Sequence, residues 1–210
     1  MCMFNCGVVL FCFAFYSTFL SCHDLNMYEY SNPPSSWDAY LCTIPSSFTT
    51  TSFWTARELE DAAAIDPRVK DFTSSRRNEF ATRYNDYIPY LVKRWPKLFP
   101  ASFFNFQNYL WAATACYSRN WVVTVDTVKN IPIQTHIMVP VLDLVNHETQ
   151  SSYVTFDEKK RVFSIVAGPN GVKEGSEVMI SYGDKCNARL LTDYGFAVAQ
   201  NAYNDLPDCV

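Results

Sequence analysis

From Val69 to Trp95 the apolar residues Phe80, Tyr84, Ile88, Leu91 and Trp95 recur at steps of three or four, the period of one helix face. Pro89 lies inside that stripe and predicts a bend or break, because proline donates no amide hydrogen and crowds the preceding turn. Pro96 and Pro100 end the unit. Upstream, Thr55-Ala56-Arg57-Glu58 has the spacing of a capping box, which predicts a helix through the following Leu-Glu-Asp-Ala-Ala-Ala. A further helix is expected from about Phe104 to Ser118, with Phe106, Tyr109, Leu110, Ala113 and Tyr117 on one stripe. Ser31 to Pro45, rich in serine and proline, reads as a connecting segment.

Beyond that helical block the period changes. "WVVTV" (121–125), "HIMVPVL" (136–142), "SYVTFD" (152–157), "RVFSIVA" (161–167) and "EVMISY" (177–182) are β-branched and aromatic runs, each of strand length. The charged Glu158-Lys159-Lys160 and the Gly168-Pro169-Asn170-Gly171 segment mark turns of hairpin length, so the strands are expected to be antiparallel. A short helix is expected at Asn187 to Asp193. Helices first and strands later give an α+β fold, not a βαβ repeat, and no internal repeat is visible.

Composition narrows the class. The 210 residues are 49% hydrophobic and 16% aromatic but only 18% charged, which is the make-up of a chain with a substantial core. A net charge of −4, with no long run of Lys or Arg, gives no nucleic-acid footprint, although a mildly acidic surface attracts a basic protein segment. The eight cysteines are scattered without any Cys-x-x-Cys, so zinc is not expected. They read as reduced thiols, which favours cytosol or nucleus. Met1 to Cys22 contains no charged residue. It reads as a helix of a core, a signal peptide or a short membrane span, and any membrane contact is expected through residues 1–22 alone.

The candidate chemistry centres on "VPVLDLVNHE". Asp143, Asn146 and His147 follow an apolar run, and polar groups in such a place need partners. Three readings stand side by side: a metal site, the base of a Cys186-His147 hydrolase, and a buried polar pair bonded to backbone. Metal lacks further ligands, and the hydrolase lacks a nucleophile elbow. Downstream, a strand ends in Tyr182-Gly183, followed by Asn187 and by Tyr194-Gly195-Phe196.

The ordered set "D-x-x-N-H", "GSEVMISYG", "N-A" and "YGF" resembles the carboxyl-terminal half of the SET-domain methyltransferases. "SSWDAYLCTIPSSFTTTSFWTARELE", "WPKLFP", "YLWAATACYSRNW" and "VPVLDLVNHE" resemble the insertion-bearing class that includes the Rubisco large-subunit lysine methyltransferase. The resemblance runs over roughly 31–201. It implies a hydrophobic amino-terminal segment (1–30), a helical SET insertion (31–136), the carboxyl-terminal half of the SET core (137–201) and a tail (202–210). It also implies a pseudoknot-like threading of "ISYG" beside the Asn-His segment.

The resemblance further implies a protein-lysine N-methyltransferase using S-adenosylmethionine, with a protein substrate and no metal. On that reading Asn146 and His147 hold the amino-acid end of the cofactor, Asp143 belongs to the same loop, and Arg119 approaches the cofactor from the insertion. Tyr182 is the active-site tyrosine, and Tyr194, Gly195 and Phe196 line the cofactor and lysine channel. Trp121 and Phe196 are expected channel walls, and an apolar Trp121 suits a lysine stem better than an imidazole, so histidine is the lesser acceptor. The family's glycine-rich turn is expected ahead of the insertion, where Gly7 is the one glycine, and its helical carboxyl-terminal domain has no counterpart before Val210. The rival reading is therefore a catalytically inactive SET-like interaction module or fragment.

Overall fold

Thr55 starts a helix by the reciprocal bonding that its spacing predicts. Its hydroxyl accepts from the Glu58 amide at 3.3 Å, and the Glu58 carboxylate accepts from the Thr55 amide at 2.7 Å. The chain is known here from a computed structural model that describes residues 38–128 and 131–205. Residues 1–22 and their possible roles lie outside the described residues.

Two compact units divide the chain: Met1–Ser118 with Leu191–Phe196, and Arg119–Leu190 with Ala197–Val210. The described part of the first unit is helical. It holds α1 (Asp38–Leu41), a 3-10 turn at Thr51–Phe53, α2 (Ala56–Ala63), α3 (Arg68–Arg94) and α4 (Phe106–Tyr117). Asn105 caps α4, its side-chain oxygen accepting from the Asn108 amide at 3.0 Å. Phe80, Ile88, Tyr109, Leu110 and Ala113 form the core between α3 and α4, with Tyr84, Tyr87, Leu91 and Val92 packed against it.

That packing explains a departure from expectation: α3 is continuous through Pro89. An interior proline costs about 3 kcal/mol. Core side chains flank it on both sides, and burying each contributes roughly 1.5–3 kcal/mol, so the helix survives. Arg77 anchors the 3-10 turn to α3 by donating to the carbonyls of Thr51 and Ser52, both at 3.1 Å, and of Trp54.

The last helix, α5 (Asn187–Tyr194), begins in the second unit and ends in the first. Within the first unit Asp193 accepts from Arg76 at 2.7 Å, with about a tenth of each side chain exposed (9% and 10%). Arg76 also donates to Glu79 at 2.6 Å and lies 3.5 Å over the Tyr117 ring. Burial opposes the guanidinium charge, but Asp193 and its companions outweigh it and hold the group firmly protonated.

The second unit carries the strands. β1 (Asn120–Val128) pairs antiparallel with β2 (Ile131–Met138), in register from Asn120↔Met138 to Val128↔Ile131 with a bulge between Thr124 and Asp126. β3 (His147–Asp157) pairs antiparallel with β4 (Val162–Val166) from Tyr153↔Val166 to Asp157↔Val162. Mixed helix and short antiparallel strands make the fold α+β. The expected strand over 136–142 is cut at Met138, because Pro140 has no amide to donate and Val141 turns the chain with φ 76°. The run 177–182 is not a ladder strand. Its Ile180 instead makes isolated parallel bridges to His147 and Ser152.

The cysteines correct a further expectation. Cys42 and Cys186 are each in a disulfide, so these two are not reduced thiols, while Cys116 is buried. The inference of compartment from scattered thiols loses its footing accordingly. Cys186 also has no thiolate to offer as a nucleophile, which removes the Cys-His hydrolase reading. Among the described residues no helix is long and apolar enough to cross a membrane.

Candidate active site

Val141 is where the site begins. A β-branched residue at φ 76°, ψ −46° occupies a sparsely populated turn conformation that costs of order 1–3 kcal/mol. The turn reverses the chain out of β2 into a 3-10 turn, Leu142–Leu144, that buries Asp143. Arg119, just ahead of β1, donates from Nη1 to the Asp143 carbonyl at 2.9 Å. Its Nε is buried and has no hydrogen-bond partner among the described residues. A cation thus meets a buried carboxylate residue through backbone, and one N–H remains available.

Asn146 and His147 are held by the 177–182 segment, which crosses them where a ladder strand is expected. The Ile180 amide donates to the Asn146 carbonyl at 2.9 Å, and the Ser181 amide donates to the Ser152 carbonyl at 2.7 Å. Ile180, only 2% exposed, is the apolar pin of this crossing. The crossing delivers Tyr182: its amide donates to His147 Nδ1 at 3.0 Å, and its hydroxyl donates to the Val145 carbonyl at 2.7 Å. The two rings lie 5.0 Å apart at 37°.

These bonds fix protonation. Nδ1 also lies 3.3 Å from the Ile180 carbonyl, but an amide can only donate, so Nδ1 accepts from Tyr182 and the ring hydrogen belongs on Nε2. Burial pushes the His147 pKa below its ordinary value, more than the Ile180 carbonyl and Glu148 raise it. Burial pushes the Tyr182 phenol up; Arg119 opposes this and Asp143 adds to it. At neutral pH the corner therefore holds a neutral imidazole and a neutral phenol. A lowered histidine pKa means that stability is complete above the ordinary value near 6.5 and is lost as pH falls below it. The wild-type Tm should fall more steeply than that of His147→Asn between neutral pH and pH about 5. Parallel curves in a melting series would count against this corner as the cause.

Of the residues singled out in the sequence, Arg119, Asp143, Asn146, His147 and Tyr182 meet in this one corner. Asn146 is exposed, and its side-chain amide donates to Glu177 at 2.7 Å. Trp121, half-buried, sits in β1 opposite Ile137 and packs against Phe163 at 6.2 Å. Tyr194, Gly195 and Phe196 belong to the first unit, with the two rings 6.2 Å apart. Gly195 has a packing role there. It takes φ +83°, and a Cβ on it would run into Thr49 Oγ1 and lie 2.9 Å from the Thr49 carbon and the Thr50 nitrogen. Gly195→Ala should therefore cost about 2–4 kcal/mol of stability, read by denaturant unfolding.

Sequence reasoning missed Val145 and Glu177. A backbone carbonyl carries no side-chain signal, so nothing could have marked Val145. Glu177 was visible in "GSEVMISYG" but its bond to Asn146 spans a loop. It also missed Asn201, which donates to the Lys185 carbonyl at 2.9 Å and to Asn187 at 3.0 Å, closing the chain over the start of α5. A separate cleft of about 540 Å³ is lined by Glu148, Gln150, Ser152, Lys173 and Glu177 among others; Tyr182 and Arg119 do not line it. Among the described residues no three His, Cys, Asp or Glu are arranged to hold a metal ion.

No family model matches the chain. Individual proteins do. An actin-histidine N-methyltransferase of Danio rerio is 26% identical over 183 residues, covering 84% of this chain and 29% of that protein. The ribosomal lysine N-methyltransferase set10 of Schizosaccharomyces pombe is 25% identical over 177 residues, covering 81% of this chain and 29% of that protein. SET domain-containing protein 4 of Mus musculus is 26% identical over 186 residues, covering 82% and 40%. The chain thus spans less than a third of the first two relatives. Among solved structures, the SET domain of LSMT bound to lysine and AdoHcy superposes with TM-score 0.58 at 21% identity, over 89% of this chain and 40% of that one. Rubisco LSMT bound to AdoMet gives TM-score 0.55 at 22% identity, over 90% and 39%.

Proposed function

We propose, for a chain that is related to SET-domain methyltransferases and has their fold, that it is an S-adenosylmethionine-dependent protein-lysine N-methyltransferase. The observation that carries this reading is the Tyr182 phenol, fixed by its own hydrogen bond to the Val145 carbonyl and set beside Arg119 and Asp143.

The residues present suit the cofactor. Its amino-acid end is a zwitterion, which asks for one cation, one anion and some backbone groups. Arg119 brings a buried Nε–H with no hydrogen-bond partner among the described residues, and Asp143 brings a buried carboxylate. Asn146 and His147 complete this corner, while the cofactor role of Tyr194, Gly195 and Phe196 rests on the resemblance. When bound, S-adenosylmethionine supplies an electrophilic methyl group on a sulfonium.

The chain's own residues then have to position a nucleophile. A lysine ammonium has an ordinary pKa near 10.4, so freeing its lone pair at neutral pH costs about 4–5 kcal/mol. Apolar surroundings lower that cost by disfavouring the charge, and Trp121 is the candidate wall. The proton leaves to water, because Tyr182, with its pKa raised, is no base at neutral pH. The phenol hydrogen is committed to Val145, which leaves lone pairs to accept an N–H. A free amine keeps N–H groups on its reacting nitrogen and can donate one there. Holding an amine in line in this way is worth up to about 7–11 kcal/mol.

The same argument favours lysine over histidine, since the reacting nitrogen of a neutral imidazole has no hydrogen to give. The relative from Danio rerio, named for acting on actin histidine, keeps the histidine reading as the second one. Incubation with methyl-labelled S-adenosylmethionine and a panel of lysine- and histidine-bearing proteins, followed by mass-spectrometric mapping, separates them. Label on lysine Nζ supports the proposal. Label on imidazole transfers the function to histidine, and none at all favours the inactive interaction module.

A further inference from the structure

Cations along α3 have partners until its end, Arg77 through backbone carbonyls and the others through carboxylates. Arg68 bonds Asp66, Lys70 bonds Glu60, Arg76 bonds Glu79 and Asp193, and Arg83 bonds Glu79. Lys93 and Arg94, and Lys97 in the turn that follows, are exposed and make no ion pair among the described residues. No Asp or Glu occurs between Asp86 and Asp126, although the whole chain is net −4. The helix dipole favours Lys93 and Arg94 in the last turn, by about 0.3–1 kcal/mol each, but it gives no reason for Lys97.

The same surface exposes large apolar side chains: Tyr90 is 61% exposed, Trp95 41% and Leu98 64%. They are held in place. Tyr90 meets Trp95 edge-on at 6.1 Å, Trp95 meets the buried Phe99 at 6.3 Å, and the Arg94 guanidinium lies 5.5 Å over the Trp95 ring. The Phe99 amide closes the turn onto the Trp95 carbonyl at 2.8 Å. Aromatic anchors with exposed cations beside them in the chain are the anatomy of a binding patch.

We propose that this patch docks an acidic segment of a partner protein, one that carries an apolar side chain among its carboxylates. Charge decides the occupant. A second copy of the chain would bring like charges face to face. An extended polyanion, whether a membrane or a nucleic acid, would meet the repulsion of a chain that is acidic overall. A short acidic segment senses mainly charges within a Debye length of about 8 Å, and between Tyr90 and Leu98 the charged residues are Lys93, Arg94 and Lys97, with Asp86 one turn earlier on the helix. The proposal stands independently of the methyltransferase reading.

Fluorescence anisotropy of a labelled synthetic peptide, in which Asp and Glu alternate with Leu and Phe, tests it on the full chain. Saturable binding is expected, weakened about tenfold or more by the combined Lys93→Glu, Arg94→Glu and Lys97→Glu changes. A second variant, Tyr90→Ser with Leu98→Ser, should weaken it without altering charge. The charge-reversed protein should in turn bind a peptide with Lys and Arg in place of the acids, which a merely misfolded variant would not do. The proposal fails if the wild type binds neither peptide or both alike, or if charge reversal leaves affinity unchanged. It fails equally if phosphatidylserine-containing vesicles or an oligothymidine strand displace the acidic peptide, or if the patch proves to mediate self-association.

Discussion

Replacing Tyr182 by phenylalanine is expected to lower methyl transfer by about a hundredfold or more while leaving S-adenosylmethionine affinity nearly intact. The substitution removes one oxygen. That oxygen donates to the Val145 carbonyl at 2.7 Å and, on the proposed mechanism, accepts from the substrate amine. The Tyr182 amide still donates to His147, so the crossing of Ile180–Tyr182 with 146–152 keeps its backbone bonds. Leaving a carbonyl short of a partner costs about 1–3 kcal/mol of stability at most, which a folded chain of this size tolerates. The effect should therefore fall on turnover. Equal losses of binding and transfer would give the tyrosine a structural role instead.

The second large effect is on stability. Asp193→Ala should destabilise the chain by up to about 3–5 kcal/mol, because it removes the more buried of the two carboxylates that pair with the buried Arg76 guanidinium. The other bonds of Arg76, to Glu79 and over Tyr117, do not compensate a charge only 9% exposed. Replacing both partners with apolar residues of similar volume, Arg76→Met with Asp193→Leu, should recover much of the loss, since it removes the desolvated charges together. Chemical denaturation of the three variants checks both statements. A double variant no better than Asp193→Ala would mean that the ion pair itself, and not the desolvation of a half-paired charge, holds the two segments.

Local rules were legible in the sequence because their partners lie within a few residues. The Thr55–Glu58 capping box, the stripe of α4 and the start of α5 at Asn187 all follow from short-range periodicity. Pro89 misled because the local cost of a proline is visible, whereas the core contacts of Tyr84, Ile88, Leu91 and Val92 that offset it are not. The run 177–182 misled in the opposite sense. Its β-branched composition suits a strand, yet it serves as a single buried crossing pinned at Ile180. The candidate site could be picked out as an ordered set of residues, five of which the fold brings together, but its hydrogen bonding could not be read. The hydrogen that Tyr182 gives to Val145, the tautomer of His147 and the Glu177 bond to Asn146 depend on backbone groups and loop closures that no spacing encodes. Likewise the Arg76–Asp193 pair joins positions 117 residues apart.

The central claim is that the corner of Arg119, Asp143, Asn146, His147 and Tyr182 binds S-adenosylmethionine. Isothermal titration of the folded chain with that cofactor tests it directly. Saturable binding in the micromolar range is expected, weakened about tenfold or more in Arg119→Ala, whose Nε–H is the one the cofactor carboxylate would take. No heat of binding at high micromolar cofactor, from a chain shown by its melting curve to be folded, would contradict the account.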